Sequence, residues 1–178
     1  MTLSLVERIV AVCEHLDRAA LPWALGGALA LAYATEEPRA TRDIDVNVFV
    51  GADQAAQVFD ALPTGVRHTD ADLLAAVADD QVRLWWDDTP IDLFFAADPF
   101  HAEVARRCRA VPFAGRTIRV LGPDDLAVFK ALFDRPKDWV DIATMRDANT
   151  IAVDVAADRL AALLGPDDSR IERLRRLR

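Results

Sequence analysis

Residues 24–50, ALGGALALAYATEEPRATRDIDVNVFV, determine how the rest of the chain is interpreted. A short apolar segment ends at two glycines, a helix of small residues follows, and a polar loop leads into an apolar strand. Side chains in a strand alternate between its two faces, so we expect Ile44 and Val46 on a buried face and Asp43 and Asp45 on the other. Two neighbouring carboxylates repel each other unless a cation lies between them. The stretch therefore predicts a divalent-metal site.

The glycine pair, Gly26 and Gly27, separates a predicted strand at 23–25 from the helix that follows. Glycine lets the backbone turn tightly and leaves peptide N–H groups uncovered by side chains. Such donors, together with the N-terminus of a helix, attract anions. The junction therefore predicts a binding place for the phosphate groups of a nucleotide.

The order of the predicted elements indicates an α+β fold. We expect a mixed sheet of four or five strands, followed by an all-helical C-terminal part. A predicted hairpin, with strands at 81–86 and 91–95 and a turn at 87–90, carries Asp92 as a further carboxylate on a strand. The expected organisation is a catalytic α/β domain over residues 1–121 and a helical subdomain over residues 122–178.

Composition limits the classes of protein that need to be considered. The 178 residues are 52% hydrophobic and 28% charged, which is typical of a globular protein rather than a disordered one. No apolar run approaches the length of a membrane span, and the N-terminal residues lack the layout of a signal peptide. We therefore expect a cytoplasmic protein without a membrane partner. Cys13 and Cys108 lack the spaced partners of a zinc site.

The net charge of −8 argues against indiscriminate binding of nucleic acid over the whole surface. Arginines nevertheless cluster at 106–119 and at 170–178, and each cluster fits either a solvated face or a local footprint for RNA. Lys130 and Lys137 are the only lysines in the chain. Since an ammonium group can approach a phosphate as a point charge, both are predicted phosphate contacts.

These motifs together resemble the nucleotidyltransferase superfamily related to DNA polymerase β. The resemblance rests on Gly26-Gly27, on the R-x-T-x-D-x-D spacing of residues 39–45, and on Ile91-Asp92-Leu93. Residues 121–142, LGPDDLAVFKALFDRPKDWVDI, are similar to a stretch of the AbiEii/MenT-type nucleotidyltransferase toxins of toxin–antitoxin systems. The resemblance implies a polymerase β-like fold and a metal-dependent transferase.

The resemblance also assigns residues to roles. Asp43 and Asp45 would bind Mg²⁺ or Mn²⁺, and Asp92 would be a third catalytic acid that binds metal or accepts a proton. Lys130 would take part in catalysis by contacting the triphosphate of the NTP. The residues expected to bind the NTP are Gly26, Gly27, Arg39, Thr41, Lys130, Lys137, Asp138 and Asp141. For Lys137 and Asp141, four positions apart on a predicted helix, a mutual ion pair is equally natural, and Lys130 could instead pair with Asp134.

The leading interpretation is a toxin that transfers a nucleoside monophosphate from an NTP to RNA, at the 3′ end of tRNA, and so blocks translation. The resemblance then implies a cognate antitoxin protein as a partner. The alternative is a small-molecule nucleotidyltransferase of the aminoglycoside type, since an acidic protein suits a cationic drug better than an RNA. A catalytically inactive binding module on the same fold is a third possibility. The sequence leaves the preferred nucleotide, the acceptor and the oligomeric state open.

Overall fold

The computed structural model describes residues 3–177 and forms two compact units. The unit that we call the sheet unit consists of the described residues up to Gly26 together with Ala40–Val120. The helical unit consists of Gly27–Arg39 and the described residues from Leu121 onward. The domain boundary expected at residue 121 stays a prediction.

A mixed sheet forms the centre of the sheet unit. Its strands are β1 (Trp23–Leu25), β2 (Ile44–Val48), β3 (Val66–Arg67), β4 (Gln81–Trp86), β5 (Thr89–Phe94), β6 (Arg109–Phe113) and β7 (Arg116–Val120). Within residues 3–177 these seven strands lie in the order β3-β4-β5-β2-β1-β7-β6. The β2–β5 and β1–β7 pairs are parallel, and the other neighbours are antiparallel.

The α+β class is confirmed, but the expected number of strands, four or five, is too low for the seven found in residues 3–177. β3 is only two residues long, too short for alternation to be visible in the sequence. The β6–β7 hairpin joins the same sheet through one registered pair, Leu25 with Val120. The strand that carries the acids is also shorter than expected, because Asp43 directly precedes β2.

Helices in the described residues divide between the two units. The sheet unit contains α1 (Leu5–Arg18), a 3₁₀ turn (Ala52–Gln54), α3 (Ala55–Ala61), α4 (Asp70–Asp79) and α5 (Phe100–Arg107). The helical unit contains α2 (Gly27–Thr35), α6 (Pro123–Phe133), α7 (Pro136–Asp147), α8 (Val153–Leu164) and α9 (Ser169–Arg175). Within residues 3–177 no helix combines the length and the apolar character needed to cross a bilayer.

The alternation of the strands places an apolar face in the core and a polar face opposite it. Ile44 and Val46 of β2 are 3% and 0% exposed, and Ile91 and Leu93 of β5 are both 0% exposed. Burying side chains of this size is the main favourable contribution to folding, about 1.5–3 kcal/mol each. The intervening residues of β2 and β5 therefore face the other side of the sheet, and this is where the acids lie.

Candidate active site

Three neighbouring strands of the sheet unit bring the predicted acids together. The parallel register of β2 and β5 sets Asp45 opposite Asp92, and the antiparallel register of β4 and β5 sets Arg83 opposite Asp92. Residues that lie opposite each other on paired strands share one face of the sheet. Asp43 precedes Asp45 by two positions and acts electrostatically on Arg83. We call Asp43, Asp45, Asp92 and Arg83 the acid row.

Arg83 makes a two-pronged ion pair with Asp92. Its Nε donates to Oδ1 at 2.7 Å and its Nη2 donates to Oδ2 at 2.7 Å. The hydrogen bonds to Asp92 and the charge of that carboxylate raise the pKa of Arg83, and the charges of Asp43 and Asp45 raise it further. Sequence reasoning missed this residue. Counting back from the turn at 87–88 would have found it, because the strand register follows from that turn.

Thr41 orients the first acid of the row. Its Oγ1 donates to Asp43 Oδ1 at 2.5 Å and also lies 3.1 Å from the Asp43 carbonyl oxygen. The same oxygen accepts the backbone N–H of Asp43 at 3.3 Å. A short side chain that bonds to the backbone two residues on fixes a local turn. Thr41 therefore holds the Asp43 carboxylate in place directly before β2.

The two glycines have different roles. The Gly26 N–H donates to the Asp45 carbonyl oxygen at 2.9 Å, which ties the end of β1 to the strand that carries the acids. Gly27 begins α2 with a φ of +52°, a left-handed conformation that favours glycine. The Gly26 amide therefore has a partner within the sheet unit, and the phosphate-binding role of the two glycines stays a prediction.

The donors in the acid row fit a divalent cation held by two carboxylates. Mg²⁺ prefers oxygen ligands and commonly binds one or two protein carboxylates together with phosphate oxygens and water. Asp43 and Asp45 supply such oxygens, whereas both oxygens of Asp92 accept hydrogen bonds from Arg83. Over residues 3–177 no group of three or more His, Cys, Asp or Glu side chains is placed to hold a metal ion.

In the helical unit, Lys130 lies in a network of acids. Its Nζ is 2.7 Å from Asp141 Oδ2 and 3.7 Å from Asp138 Oδ1, and the residue is only 8% exposed. Arg39 Nη1 lies 3.5 Å from Asp141 Oδ1. The sequence suggested Asp134 as the alternative partner of Lys130, but Asp134 instead accepts from the indole of Trp139 at 2.6 Å.

Asp138 is fully buried, at 0% exposure, and supports its neighbours. It accepts from Arg135 Nε at 2.6 Å, from Arg135 Nη2 at 3.1 Å and from the Arg135 backbone N–H at 3.2 Å. Burial alone raises the pKa of Asp138, but Arg135 and Lys130 outweigh burial and lower that pKa below its ordinary value. Lys137 is exposed, and within residues 3–177 Asp141 pairs with Arg39 and Lys130 rather than with Lys137.

The C-terminal arginine cluster is compensated by acids within the helical unit. Each of its described arginines pairs with a carboxylate: Arg170 with Asp168, Arg173 with Asp134, Arg175 with Asp158, and Arg176 with Glu172. The guanidinium of Arg173 also lies 4.1 Å from the centre of the Trp139 ring. Arginines paired in this way leave little uncompensated positive charge for a phosphate backbone.

Comparisons with known proteins agree with this fold. Residues 8–145 match the model of a family described as aminoglycoside-2''-adenylyltransferase. The solution structure of the antibiotic-resistance factor ANT(2'')-Ia has a TM-score of 0.62 at 18% identity, over 96% of this chain and 95% of that one. The crystal structure of ANT(2'')-Ia with adenylyl-2''-tobramycin has a TM-score of 0.61 at 16% identity, over 88% and 95%. No curated protein matches the chain in a sequence comparison.

A further structure shares the fold at a greater distance. The lincosamide antibiotic adenylyltransferase LnuA, bound to lincomycin, has a TM-score of 0.56 at 11% identity, over 83% of this chain and 99% of that one. At identities this low, the solved structures show the fold alone. The chain spans nearly the whole length of each of the three solved structures.

The comparisons confirm part of the expected resemblance and overturn the rest. Membership of the nucleotidyltransferase superfamily is confirmed, but the AbiEii/MenT toxin type is not. The prediction of transfer to RNA is wrong, because the family that matches residues 8–145 is described by an aminoglycoside acceptor. The tRNA and antitoxin partners predicted with it have no support in these findings.

Proposed function

The chain belongs to the aminoglycoside-2''-adenylyltransferase family, and from this premise we propose that it transfers the adenylyl group of ATP to a hydroxyl group of an aminoglycoside. The observation that carries the proposal is that the family match spans the whole acid row. In the reaction, the acceptor oxygen forms a bond to the α-phosphorus of ATP. The bond from that phosphorus to pyrophosphate breaks, and the acceptor hydroxyl loses its proton.

Within the sheet unit, we assign Asp43 and Asp45 to holding a divalent cation, Mg²⁺ or Mn²⁺. When bound, such an ion supplies positive charge that offsets the charge of the reacting phosphate group. Thr41 keeps Asp43 in place through its hydrogen bond of 2.5 Å. Asp92, whose side chain is 16% exposed, is the proposed acceptor of the proton from the aminoglycoside hydroxyl. This transfer requires that the hydroxyl lie within hydrogen-bond reach of Asp92.

For the helical unit, we propose that Lys130 contributes to nucleotide binding. Asp141 at 2.7 Å and buried Asp138 at 3.7 Å fix the position of its ammonium group. Any effect of Asp138 on the nucleotide then passes through Lys130 or Arg135, because Asp138 has no exposed surface of its own. Arg39, which is 35% exposed, and exposed Lys137 are further proposed phosphate contacts. Asp141 is proposed to hold Arg39 and Lys130 together.

Charge supports a cationic acceptor. The chain carries a net charge of −8, and the acid row contains three carboxylates against one guanidinium. Aminoglycosides carry several ammonium groups at neutral pH, so they are attracted to such a surface, whereas the phosphate backbone of RNA is repelled. The ion pairs of the C-terminal arginines act in the same direction, because they remove the cations that an RNA would need.

The proposal is tested by offering ATP labelled at the α-phosphate, with Mg²⁺, to the purified protein. Three acceptors are supplied separately: a panel of aminoglycosides that includes tobramycin, lincomycin, and total cellular RNA. We expect label on an aminoglycoside together with release of pyrophosphate, and no label on RNA. Label on RNA but on none of the drugs would refute the proposal, and label on lincomycin alone would move the acceptor to another drug class.

Two Asp→Asn variants distinguish the effect of losing a carboxylate in the acid row from the effect of losing a negative charge elsewhere on the protein. Asp45→Asn removes a proposed cation ligand and should lower kcat/KM by about 10³-fold, since a catalytic cation contributes several kcal/mol to transition-state stabilisation. Asp60→Asn, on the exposed surface of α3, should leave kcat/KM unchanged. An Asp45→Asn protein with wild-type activity contradicts the assignment of the site.

A further inference from the structure

Arg83 is a component of the acid row that lies outside the sequence motif of residues 39–45 and 91–93. It lies on β4, opposite Asp92, and its guanidinium is bound to both oxygens of that carboxylate at 2.7 Å. Its side chain is 53% exposed, whereas that of Asp92 is 16% exposed. Arg83 also lies close enough to Asp43 and Asp45 to respond to both of their charges.

The fork geometry engages both oxygens of Asp92, the carboxylate that is registered opposite the proposed cation ligand Asp45. A carboxylate offers about four lone-pair sites, and a two-pronged guanidinium uses one on each oxygen. The positive charge of Arg83 also repels any further cation that approaches Asp43 and Asp45. With Arg83 the row carries three negative charges and one positive charge, and replacing Arg83 by a neutral residue removes that positive charge.

We propose that Arg83 is the resident counter-cation of the acid row: it stabilises the three carboxylates when no divalent cation is bound and weakens the binding of one. The inference rests on the proposed function only in taking Asp43 and Asp45 as the cation site. Arg83 is thus a positioning residue that acts through Asp92 and through the charge of the row. An ordinary surface ion pair would instead stabilise the protein to the same extent with and without a cation.

The test measures Mn²⁺ binding by electron paramagnetic resonance, without nucleotide or acceptor, in the wild-type protein and in Arg83→Met. One neighbouring unit charge changes the affinity of a carboxylate for a proton by 1–3 powers of ten, so we expect Arg83→Met to bind Mn²⁺ at least about tenfold more tightly. In EDTA the variant should melt at a lower temperature than the wild type. Adding Mn²⁺ should narrow that difference, because a ligand stabilises the state that it binds.

Two further variants show whether the charge at position 83 is responsible. Arg67→Met removes the same charge from the neighbouring strand β3, where Arg67 is registered with Trp85 rather than with Asp92, and should change Mn²⁺ affinity by no more than about twofold. Arg83→Lys keeps the charge and should return the affinity to within about threefold of the wild-type value. The proposal is overturned if Arg83→Met binds Mn²⁺ like the wild type, if Arg67→Met has an equal effect, or if Arg83→Lys does not restore the affinity.

This test and that of the proposed function can fail independently. If no drug is adenylylated but Arg83→Met binds Mn²⁺ more tightly, the inference holds and the assigned acceptor is wrong. If a drug is adenylylated while Mn²⁺ affinity does not respond to Arg83, the function holds and the inference is wrong. Asp45→Asn verifies the location, since Mn²⁺ binding that survives this substitution unchanged takes place away from the acid row and overturns the inference.

Discussion

Replacing the buried carboxylate of Asp138 should destabilise the protein far more than replacing an exposed one. Asp138 is 0% exposed, accepts three hydrogen bonds from Arg135 and lies 3.7 Å from the ammonium of Lys130. Asp138→Asn keeps the shape and one acceptor oxygen but removes the charge. Of the two carboxylates that pair with Lys130 in residues 3–177, only Asp141 then remains beside this 8% exposed lysine.

The expected loss is about 2–3 kcal/mol in the free energy of unfolding. Breaking a buried ion pair by removing one partner costs about 3–5 kcal/mol. The expected loss lies at or below the lower end of that range because Arg135 is 52% exposed and can regain water, and because the asparagine oxygen still accepts a hydrogen bond. For a chain of this length, each kcal/mol corresponds to about 2–4 °C, so the melting temperature should fall by about 4–12 °C.

The effect of Asp138→Asn should also depend on pH. Because Arg135 and Lys130 hold the pKa of Asp138 below its ordinary value, its carboxylate stabilises the fold fully above the unfolded-state pKa. That contribution is lost as the pH falls through the lower, folded-state pKa. The difference between wild type and Asp138→Asn should therefore be greatest near neutral pH and shrink in acid.

Urea unfolding at pH 7 and at a series of lower pH values measures both effects. The matched control is Asp158→Asn, which removes a carboxylate that is 73% exposed and pairs with Arg175 in the same helical unit. That substitution should cost less than about 1 kcal/mol. If Asp138→Asn is as mild as the control, or if its cost is the same at every pH, the network around Lys130 does not have the energetic role assigned to it.

Two other predictions concern the sheet unit. Arg8 is 2% exposed and binds the β4–β5 turn through the Trp86 carbonyl oxygen at 2.9 Å, Asp88 at 2.9 Å and Asp87 at 3.0 Å. Because Arg8→Met removes these contacts, it should lower the free energy of unfolding, measured by urea denaturation, by about 2–4 kcal/mol. A loss below about 0.5 kcal/mol would contradict this prediction. Burial, together with the charge of Asp17, raises the pKa of Cys13 to about 12. Because the thiolate is the reactive form, iodoacetamide at pH 8 should alkylate half-buried Cys108 before Cys13. Mass spectrometry of the folded protein measures this order. Equal rates at the two thiols would contradict that order.

The faces of the strands that carry the acids could be predicted from the sequence because alternation is local. Ile44 and Val46 are buried as expected, and Asp45 and Asp92 lie on the opposite face. The relation of Arg83 to Asp92 could not be seen, because it depends on where the hairpin turns. The sequence suggested a turn over residues 87–90, whereas the structure turns at 87–88 with Asp87 at a φ of +53° and continues β5 from Thr89.

The partners of Lys130 were beyond local reasoning for a similar reason. Asp134 and Lys130 lie one helical turn apart, and this spacing favoured an ion pair. The α6 helix ends at Phe133, and Asp134 takes a left-handed conformation at its C-terminus, from which it accepts the indole N–H of Trp139. Lys130 pairs instead with Asp141, eleven residues away on α7. Contacts between packed helices of this kind are not visible in the spacing of residues along one helix.

The acceptor could not be derived from the motif residues at all. The roles proposed for Asp43, Asp45 and Asp92 concern the nucleotide, its cation and the proton of the acceptor hydroxyl, and these are common to transferases with different acceptors. When only their charge was counted, the two arginine clusters fitted either a solvated face or a footprint for RNA. In the structure, carboxylates pair with the described C-terminal arginines, and in the other cluster Glu14 pairs with Arg116 and Glu103 with Arg106 and Arg107. Pairing, rather than composition, decides whether a cluster can bind phosphate.

Transfer of labelled AMP is the most direct test of the assigned activity. With ATP labelled at the α-phosphate, Mg²⁺ and an aminoglycoside, the wild-type protein should label the drug, Asp60→Asn should label it equally, and Asp45→Asn should reduce labelling by about 10³-fold. Labelled RNA with unlabelled drug, or undiminished labelling by Asp45→Asn, would contradict the account.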